Sequence, residues 1–541
     1  MLPKGKVPND VRHKPPKDLN GYFPFHAPET VEDWEERAAD LKRRTLVATG
    51  LWPMPPTTPL RPMIRASGKR DGFTIEKVHF ESYPGHHVTG LLFRPTKKHP
   101  SGKHPAVLSP HGHGGRLQDH GKSITDLIKQ GRERYEGSGR FPKVARCAHL
   151  ARMGCVVFLY DMLGYADSKQ ISYQLAHRFA KQRPDFESET SWGLYSAQAE
   201  MRLQSIFGVQ TYNSLRALDF LTSLTDVDET RVGITGGSGG GTQTILLGAL
   251  DPRPIVSFPQ GMVSTSMQGG CTCENVCLMR VGSGNVELTA LFAPKPIAMT
   301  AANDWTKAMM SEGYPQLQKL YSLYVRKDNV YCKDLRKFPH NYNYVTRAEM
   351  YAWFNRYLKL DLTDLEERDF APLTSKEHAV WDEDHPAPPS GDPYERKLTK
   401  QLADISDRQL RALEPRDAAS FEEYRHIVGG ALQAIVGRKV PEFGSITREQ
   451  LGRKEHDSHV VFTDLLRNEN AGEEIPLVSL FPKAKFSGKV TLWLHGEGKS
   501  GLFDSDGAPK PYVANLLGRG VAVLCPDLFG QGEHLKDGEP I

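Results

Sequence analysis

The stretch Arg231-Val-Gly-Ile-Thr-Gly-Gly-Ser-Gly-Gly-Gly-Thr242 passes from a short strand pattern through a glycine-rich turn and on into Gln243-Thr-Ile-Leu-Leu-Gly-Ala-Leu250, which reads as a helix. The turn, Gly236 to Gly240, has the form Gly-x-Ser-x-Gly. Such a turn holds its central serine in a crowded backbone geometry, so its neighbours must lack side chains for the loop to close and the hydroxyl to project. The helix behind it aims its amide dipoles at the serine, which favours a developing oxyanion. A phosphate loop does not fit, because no Gly-Lys-Ser/Thr follows and the Gly-x-Gly-x-x-Gly register is poorly met. Ser238 is the candidate nucleophile.

Upstream, two buried-strand runs lead into polar loops. Ala106-Val-Leu-Ser109 precedes His111-Gly-His-Gly-Gly115, and Val156-Val-Phe-Leu-Tyr160 precedes Asp161-Met-Leu-Gly-Tyr-Ala-Asp-Ser168. Alternating strands over Thr74 to Phe80 and Val88 to Phe93, split by the turn Pro84-Gly85, form an antiparallel entry to a sheet. A helix starts at the capping sequence Thr30-Val-Glu-Asp33 and ends near Gly50, and a long helix is expected from about Ser196 to Leu224. Buried strands alternating with helices give an α/β fold with a mostly parallel central sheet.

A serine hydroxyl needs a base, and the base needs an orienting acid. Both are found downstream. Asp304 follows the strand Pro296-Ile-Ala-Met-Thr300, and His340 lies in Phe338-Pro-His-Asn-Tyr-Asn343 ahead of an amphipathic helix from about Val345 to Leu360. Asp334 is the substitute acid. The oxyanion donors are expected to be the main-chain N–H groups of Gly239, directly after the nucleophile, and of His113 in the earlier loop. Asp161 and Asp167 precede the nucleophile and read as loop-building residues on the rim. Cys271-Thr-Cys-Glu-Asn-Val-Cys277 has neither a paired C-x2-C nor a histidine cluster nearby in sequence, so buried thiols and no metal are expected there. Glu274 and Asn275 are candidates for the pocket wall.

The whole chain has 541 residues, 39% hydrophobic and 25% charged, with 49 Gly and 38 Pro, which suits a globular protein of more than one domain. The net charge of +4 is too small for a nucleic-acid or membrane-surface partner, and no apolar run reaches the length of a membrane span. Seven cysteines, an odd and sparse set, do not form a disulfide framework. Met1 to Asn20 is polar with no apolar core, so no signal peptide is read; the compartment is periplasmic or secreted if the N-terminus is truncated, and otherwise cytoplasmic. The oligomeric state is not written in these residues.

The proline-bearing stretch around Asp369 to Arg396 looks like a linker, and beyond it the landmarks of the first module recur in order. Ser420-Phe-Glu-Glu423 corresponds to Thr30 to Asp33, His495-Gly-Glu-Gly498 to the His111 loop, and the strand ending at Asp527 to the one ending at Asp161. The expected division is a catalytic domain at 1–365, a linker at 366–410 and an incomplete second repeat at 411–541. Spaced as in the first copy, the counterpart of Ser238 would fall beyond Ile541, so a truncated product is expected.

Taken together, His111-Gly-His-Gly, Asp161-Met-Leu-Gly-Tyr, Gly-Gly-Ser238-Gly-Gly-Gly-Thr, Asp304-Trp-Thr and Pro-His340-Asn-Tyr-Asn resemble α/β-hydrolases of the acetyl xylan esterase and cephalosporin-C deacetylase type. The resemblance covers about Asp18 to Leu360, with Asp18-Leu-Asn-Gly-Tyr-Phe-Pro-Phe25 similar to a segment of large bacterial relatives. It implies a Ser238, Asp304, His340 triad that removes small acyl groups from a small-molecule or glycan ester through an acyl-enzyme, with no cofactor. Acetyl xylan esterases commonly carry Gln after the nucleophile and glucuronoyl esterases Arg, where this chain has Gly239. A prolyl oligopeptidase-like serine peptidase is the alternative activity, and a non-catalytic binding role the alternative for the second repeat.

Overall fold

The computed structural model describes all residues except 4, 16, 439, 537, 538, 540 and 541. The chain divides into a larger unit, Leu19–Arg438, and a smaller one made of Met1–Asp18 and Lys439–Ile541.

The larger unit is built on nine strands: β1 (Met63–Arg70), β2 (Phe73–Tyr83), β3 (His86–Pro95), β4 (His104–Leu108), β5 (Val156–Tyr160), β6 (Val227–Gly237), β7 (Pro254–Gln260), β8 (Ile297–Ala301) and β9 (Val330–Asp334). Their order is β1-β2-β3-β5-β4-β6-β7-β8-β9. β1, β2, β3 and β5 pair antiparallel, whereas β5, β4, β6, β7, β8 and β9 run parallel. The apolar runs of β4, β5 and β8 are buried along their whole length, because helices cover both faces of the parallel part. Successive residues serve opposite faces: Phe158 packs with Phe80 and Phe220 on one side, while Val157 and Leu159 pack with Phe93 and Phe354 on the other.

The long helix expected from Ser196 to Leu224 is two helices, Ala197–Met201 and Ile206–Thr222. Leu203 between them has φ +55°, and Ser205 starts the second by accepting the N–H of Gly208. The proline-bearing stretch is also not a free connector, since it is fastened into the larger unit. Glu367 accepts hydrogen bonds from Arg347 at 2.6 and 2.7 Å and from the Tyr351 hydroxyl at 2.6 Å. The Trp381 indole donates to the Asp167 carbonyl at 2.9 Å, and the helix Asp392–Ala412 buries Tyr394, Leu398 and Ala403. The composition of 366–410 suggested a linker, but its few large side chains have buried partners far away in sequence. Ser420, read as a helix cap, lies inside its helix: Asp417 caps Ala418–Tyr424, and Ser420 reciprocates.

The smaller unit carries β10 (Ile446–Glu455), β11 (His459–Asn468), β12 (Glu473–Pro482), β13 (Val490–Leu492) and β14 (Ala522–Pro526), in the order β10-β11-β12-β14-β13. This is the order and strand sense of β1-β2-β3-β5-β4. Local details match as well. A register shift between Gln450 and Gly452 answers one between Ala66 and Gly68. The N–H of Asp527 bonds to the Pro476 carbonyl at 2.8 Å, as that of Asp161 bonds to Thr89 at 2.7 Å. Lys499 pairs with Asp527 where Arg116 pairs with Asp161. The units differ at one edge: Val490 and Leu492 of β13 are exposed, whereas β4 is flanked by β6 and buried. Among the described residues no helix is long and apolar enough to cross a membrane.

Arg347 is fully buried between Glu133 and Glu367. Arg347→Ala leaves two carboxylates buried without their counter-charge, and a loss of about 3–5 kcal/mol is expected. The check is a lower urea midpoint at unchanged slope; an unmoved midpoint would show that the cluster contributes nothing to stability.

Candidate active site

Ser238 sits between the end of β6 and the helix Gly239–Leu250 with φ +55° and ψ −127°, a conformation that costs a side-chain-bearing residue on the order of 1–3 kcal/mol. Two main-chain bonds hold it there: its N–H donates to the Gln260 carbonyl at 3.0 Å, and its carbonyl accepts from Thr242 at 3.0 Å. The turn also runs hard against the end of β4. A Cβ at Gly240 would lie 2.4 Å from the Pro110 carbonyl oxygen, so only glycine closes this crossing.

Asp304 and His340 lie in the loops after β8 and β9, and the fold brings them together. His340 Nδ1 is 2.7 Å from Asp304 Oδ2, and the other carboxylate oxygen accepts from the Thr306 N–H at 2.7 Å and its hydroxyl at 2.6 Å. Burial pushes the Asp304 pKa up, but the bonds from His340 and Thr306 outweigh it and hold the group below its ordinary value. The stabilisation this carboxylate contributes is therefore complete above the ordinary aspartate range and is lost as pH falls through the lowered value. The stability gap between wild type and Asp304→Asn should narrow as pH falls below the ordinary aspartate range, which acid titrations of the two proteins measure. Asp334, the substitute acid, is exposed and paired with Arg336 at 2.5 Å, away from His340.

The imidazole of His340 is bracketed on two sides. The Trp305 ring lies 4.5 Å from it and is fixed by an indole N–H bond to the Gly261 carbonyl at 2.7 Å. Gly261 has φ +75°, and a Cβ there would fall 2.7 Å from His340 Cε1.

Ser238 and His340 line one pocket of about 250 Å³ with Gly112, His113, His120, Lys143, Arg146 and Tyr342. Three of these, His120, Lys143 and Arg146, were not singled out in the sequence. Lys143 donates to the carbonyls of His113 and Gly115 at 2.8 and 3.0 Å, fastening the loop after β4, and burial, aided by Arg146, pulls its pKa from 10.5 to about 7. Arg146 bonds the Ser109 hydroxyl at 2.8 Å and lies over the Tyr342 ring. Both sit in Pro142–Arg152, which reads as an ordinary amphipathic helix with nothing to mark them. Glu274 faces Gly239: a Cβ there would meet its Oε1 at 3.3 Å. Asn275 holds the same loop by donating to the Gly269 carbonyl at 2.8 Å. Asp161 and Asp167 both bind Arg116, as expected of loop-building residues.

Residues 152–260 match the acetyl xylan esterase family model, a span that runs from before β5 through the serine turn to the end of β7. The solved structure of "Methylesterase BT1017" superposes with a TM-score of 0.53 at 27% identity, covering 70% of this chain and 78% of that one. The chain is an α/β-hydrolase by fold. YtaP of Bacillus subtilis (strain 168) is 32% identical over 171 residues, 31% of this chain and 46% of the relative, so less than half of that protein's length is matched. The resemblance to acetyl xylan esterases read from the motifs thus stands, while Asp304, His340 and His113 lie outside the segment the family model matches.

Gly240→Ala is expected to abolish activity and to destabilise the fold by roughly 1–3 kcal/mol or more, because backbone must move. Gly239→Ala is crowded only by the Glu274 carboxylate, with the His113 ring at ordinary contact distance, and should keep the melting temperature within about 4 °C of wild type. Thermal melts of the two variants side by side make the comparison, and equal melting temperatures would contradict it.

Proposed function

We propose that the larger unit is a serine carboxylic-ester hydrolase acting on an acylated carbohydrate. The observation that carries this reading is the 2.7 Å bond between His340 and Asp304 at the rim of the pocket that also holds the strained Ser238. In the proposed cycle Ser238 Oγ attacks the ester carbonyl while His340 takes its proton. The N–H groups of Gly239 and His113 receive the negative charge on the carbonyl oxygen. Collapse breaks the bond to the alcohol, which leaves with the proton from His340, and water then releases the acid from the acyl-enzyme by the same steps in reverse. Asp304 keeps the imidazole in the tautomer with Nδ1 protonated. A pocket of about 250 Å³ suits a small group beside the serine.

A second reading has the sugar on the acyl side and methanol as the leaving group. The observation that favours it is that the similar structure is named a methylesterase.

Assays with an aryl acetate, acetylated xylan, a methyl uronate and a proline-bearing aryl amide distinguish these activities. Hydrolysis of one of the esters and not of the amide is expected, and Ser238→Ala and His340→Ala should each lose on the order of 10³-fold or more in kcat with little change in KM. Equal activity of wild type and Ser238→Ala would remove the triad, and preference for the amide would favour the peptidase.

A further inference from the structure

Three loops at the C-terminal ends of the parallel strands bring four metal-binding side chains to one point. His113 comes from the loop after β4, His177 from the end of the short helix Tyr173–His177 that follows β5, and Cys271 and Cys273 from the loop after β7. Their ligand atoms all lie within 4.8 Å of one another. His177 Nδ1 is 3.4 Å from Cys271 Sγ, and His113 Nε2 is 3.5 Å from Cys273 Sγ. A tetrahedral zinc with bonds of about 2.3 Å to sulfur and about 2.0 Å to nitrogen separates neighbouring S and N ligands by about 3.5 Å.

The outer contacts fit as well. A metal-bound histidine commonly gives its second ring nitrogen to a carbonyl or carboxylate, which fixes the tautomer and the ring plane. His177 Nε2 is 2.7 Å from the Leu163 carbonyl, and His113 Nδ1 faces Glu274 Oε1 at 3.9 Å. Tyr165 packs against both rings. His177 and Cys273 are buried, so two of the four ligands are already withdrawn from solvent.

We propose that His113, His177, Cys271 and Cys273 bind one zinc ion. Two thiolates and two imidazoles in a tetrahedron select zinc over the hard cations, and four protein ligands leave no open position, as in a structural rather than a hydrolytic site. The ion ties together the loops after β4, β5 and β7. One of them carries the His113 main chain beside Ser238, so the metal positions the pocket wall without touching the substrate. Sequence spacing hid this set, because the histidines stand far from the two cysteines along the chain and meet them only through the parallel sheet. Cys277, the third cysteine of the motif, is exposed and lies outside the group.

The test uses the full chain, reduced, incubated with zinc chloride, desalted and analysed for metal. About one zinc per chain is expected for wild type and for Cys277→Ser, and far less for Cys271→Ser and Cys273→Ser. Cobalt(II) in place of zinc should give wild type the thiolate-to-metal charge-transfer absorption and intense visible bands of a tetrahedral site. This readout stands even if the cysteine variants fail to fold. Wild type that retains no zinc, wild type whose cobalt spectrum lacks the thiolate band, or Cys273→Ser that retains as much zinc as wild type overturns the proposal. Metal content is measured without substrate, so the result is independent of whether the ester-hydrolase reading holds.

Discussion

The larger unit depends on the backbone crossing at Ser238. A serine at φ +55° is unfavourable by itself, and it persists because β6 is held between β4 and β7 and the helix behind it starts within one residue. The Gln260 carbonyl at the end of β7 takes the serine N–H, while the Pro110 carbonyl after β4 leaves room only for glycine at 240. Three parallel strands must therefore end at one level. Once they do, the loops after β4, β6 and β7 share one rim, and adding β8 and β9 in the same sense delivers Asp304 and His340 to it.

Around this rim, polar groups are held mostly by main-chain partners and buried counter-charges. Arg116 joins Asp161 to Asp167, Lys143 grips two carbonyls of the His113 loop, and Thr306 saturates the Asp304 oxygen that His340 does not use. Each arrangement removes a freedom from a loop that would otherwise be mobile. Preorganisation of this kind is what places hydrogen-bond donors before charge develops. The smaller unit repeats the first five strands with the same order and sense and keeps the ion pair at the end of β14 through Lys499 and Asp527. Its residues 439–541 contain no Gly-x-Ser-x-Gly turn. The shared architecture concerns the sheet and its first loops.

Much of this was legible along the chain because it rests on short-range physics. A glycine-flanked serine between a strand and a helix has few other uses, buried strands of five residues announce a parallel sheet, and Thr30 caps its helix through the N–H of Asp33 as its spacing implies. The order Ser238, Asp304, His340 follows from strands laid down in sequence. The misreadings share a different cause. Residues 366–410 look like a linker until Glu367 is seen under Arg347 and Trp381 on Asp167, and the helix expected to run through Leu203 breaks where Ser205 offers a better start.

The sequence alone determined the α/β class, the serine turn and the candidate acid and base, since each is encoded by neighbours a few residues apart. Only the tertiary structure decided that His340 meets Asp304 rather than Asp334, that Lys143 and Arg146 line the pocket, and that His113 and His177 converge on Cys271 and Cys273. These are contacts between residues about 30 to 160 positions apart. No local pattern specifies them, and they arise because a parallel sheet returns every second connection to the same edge.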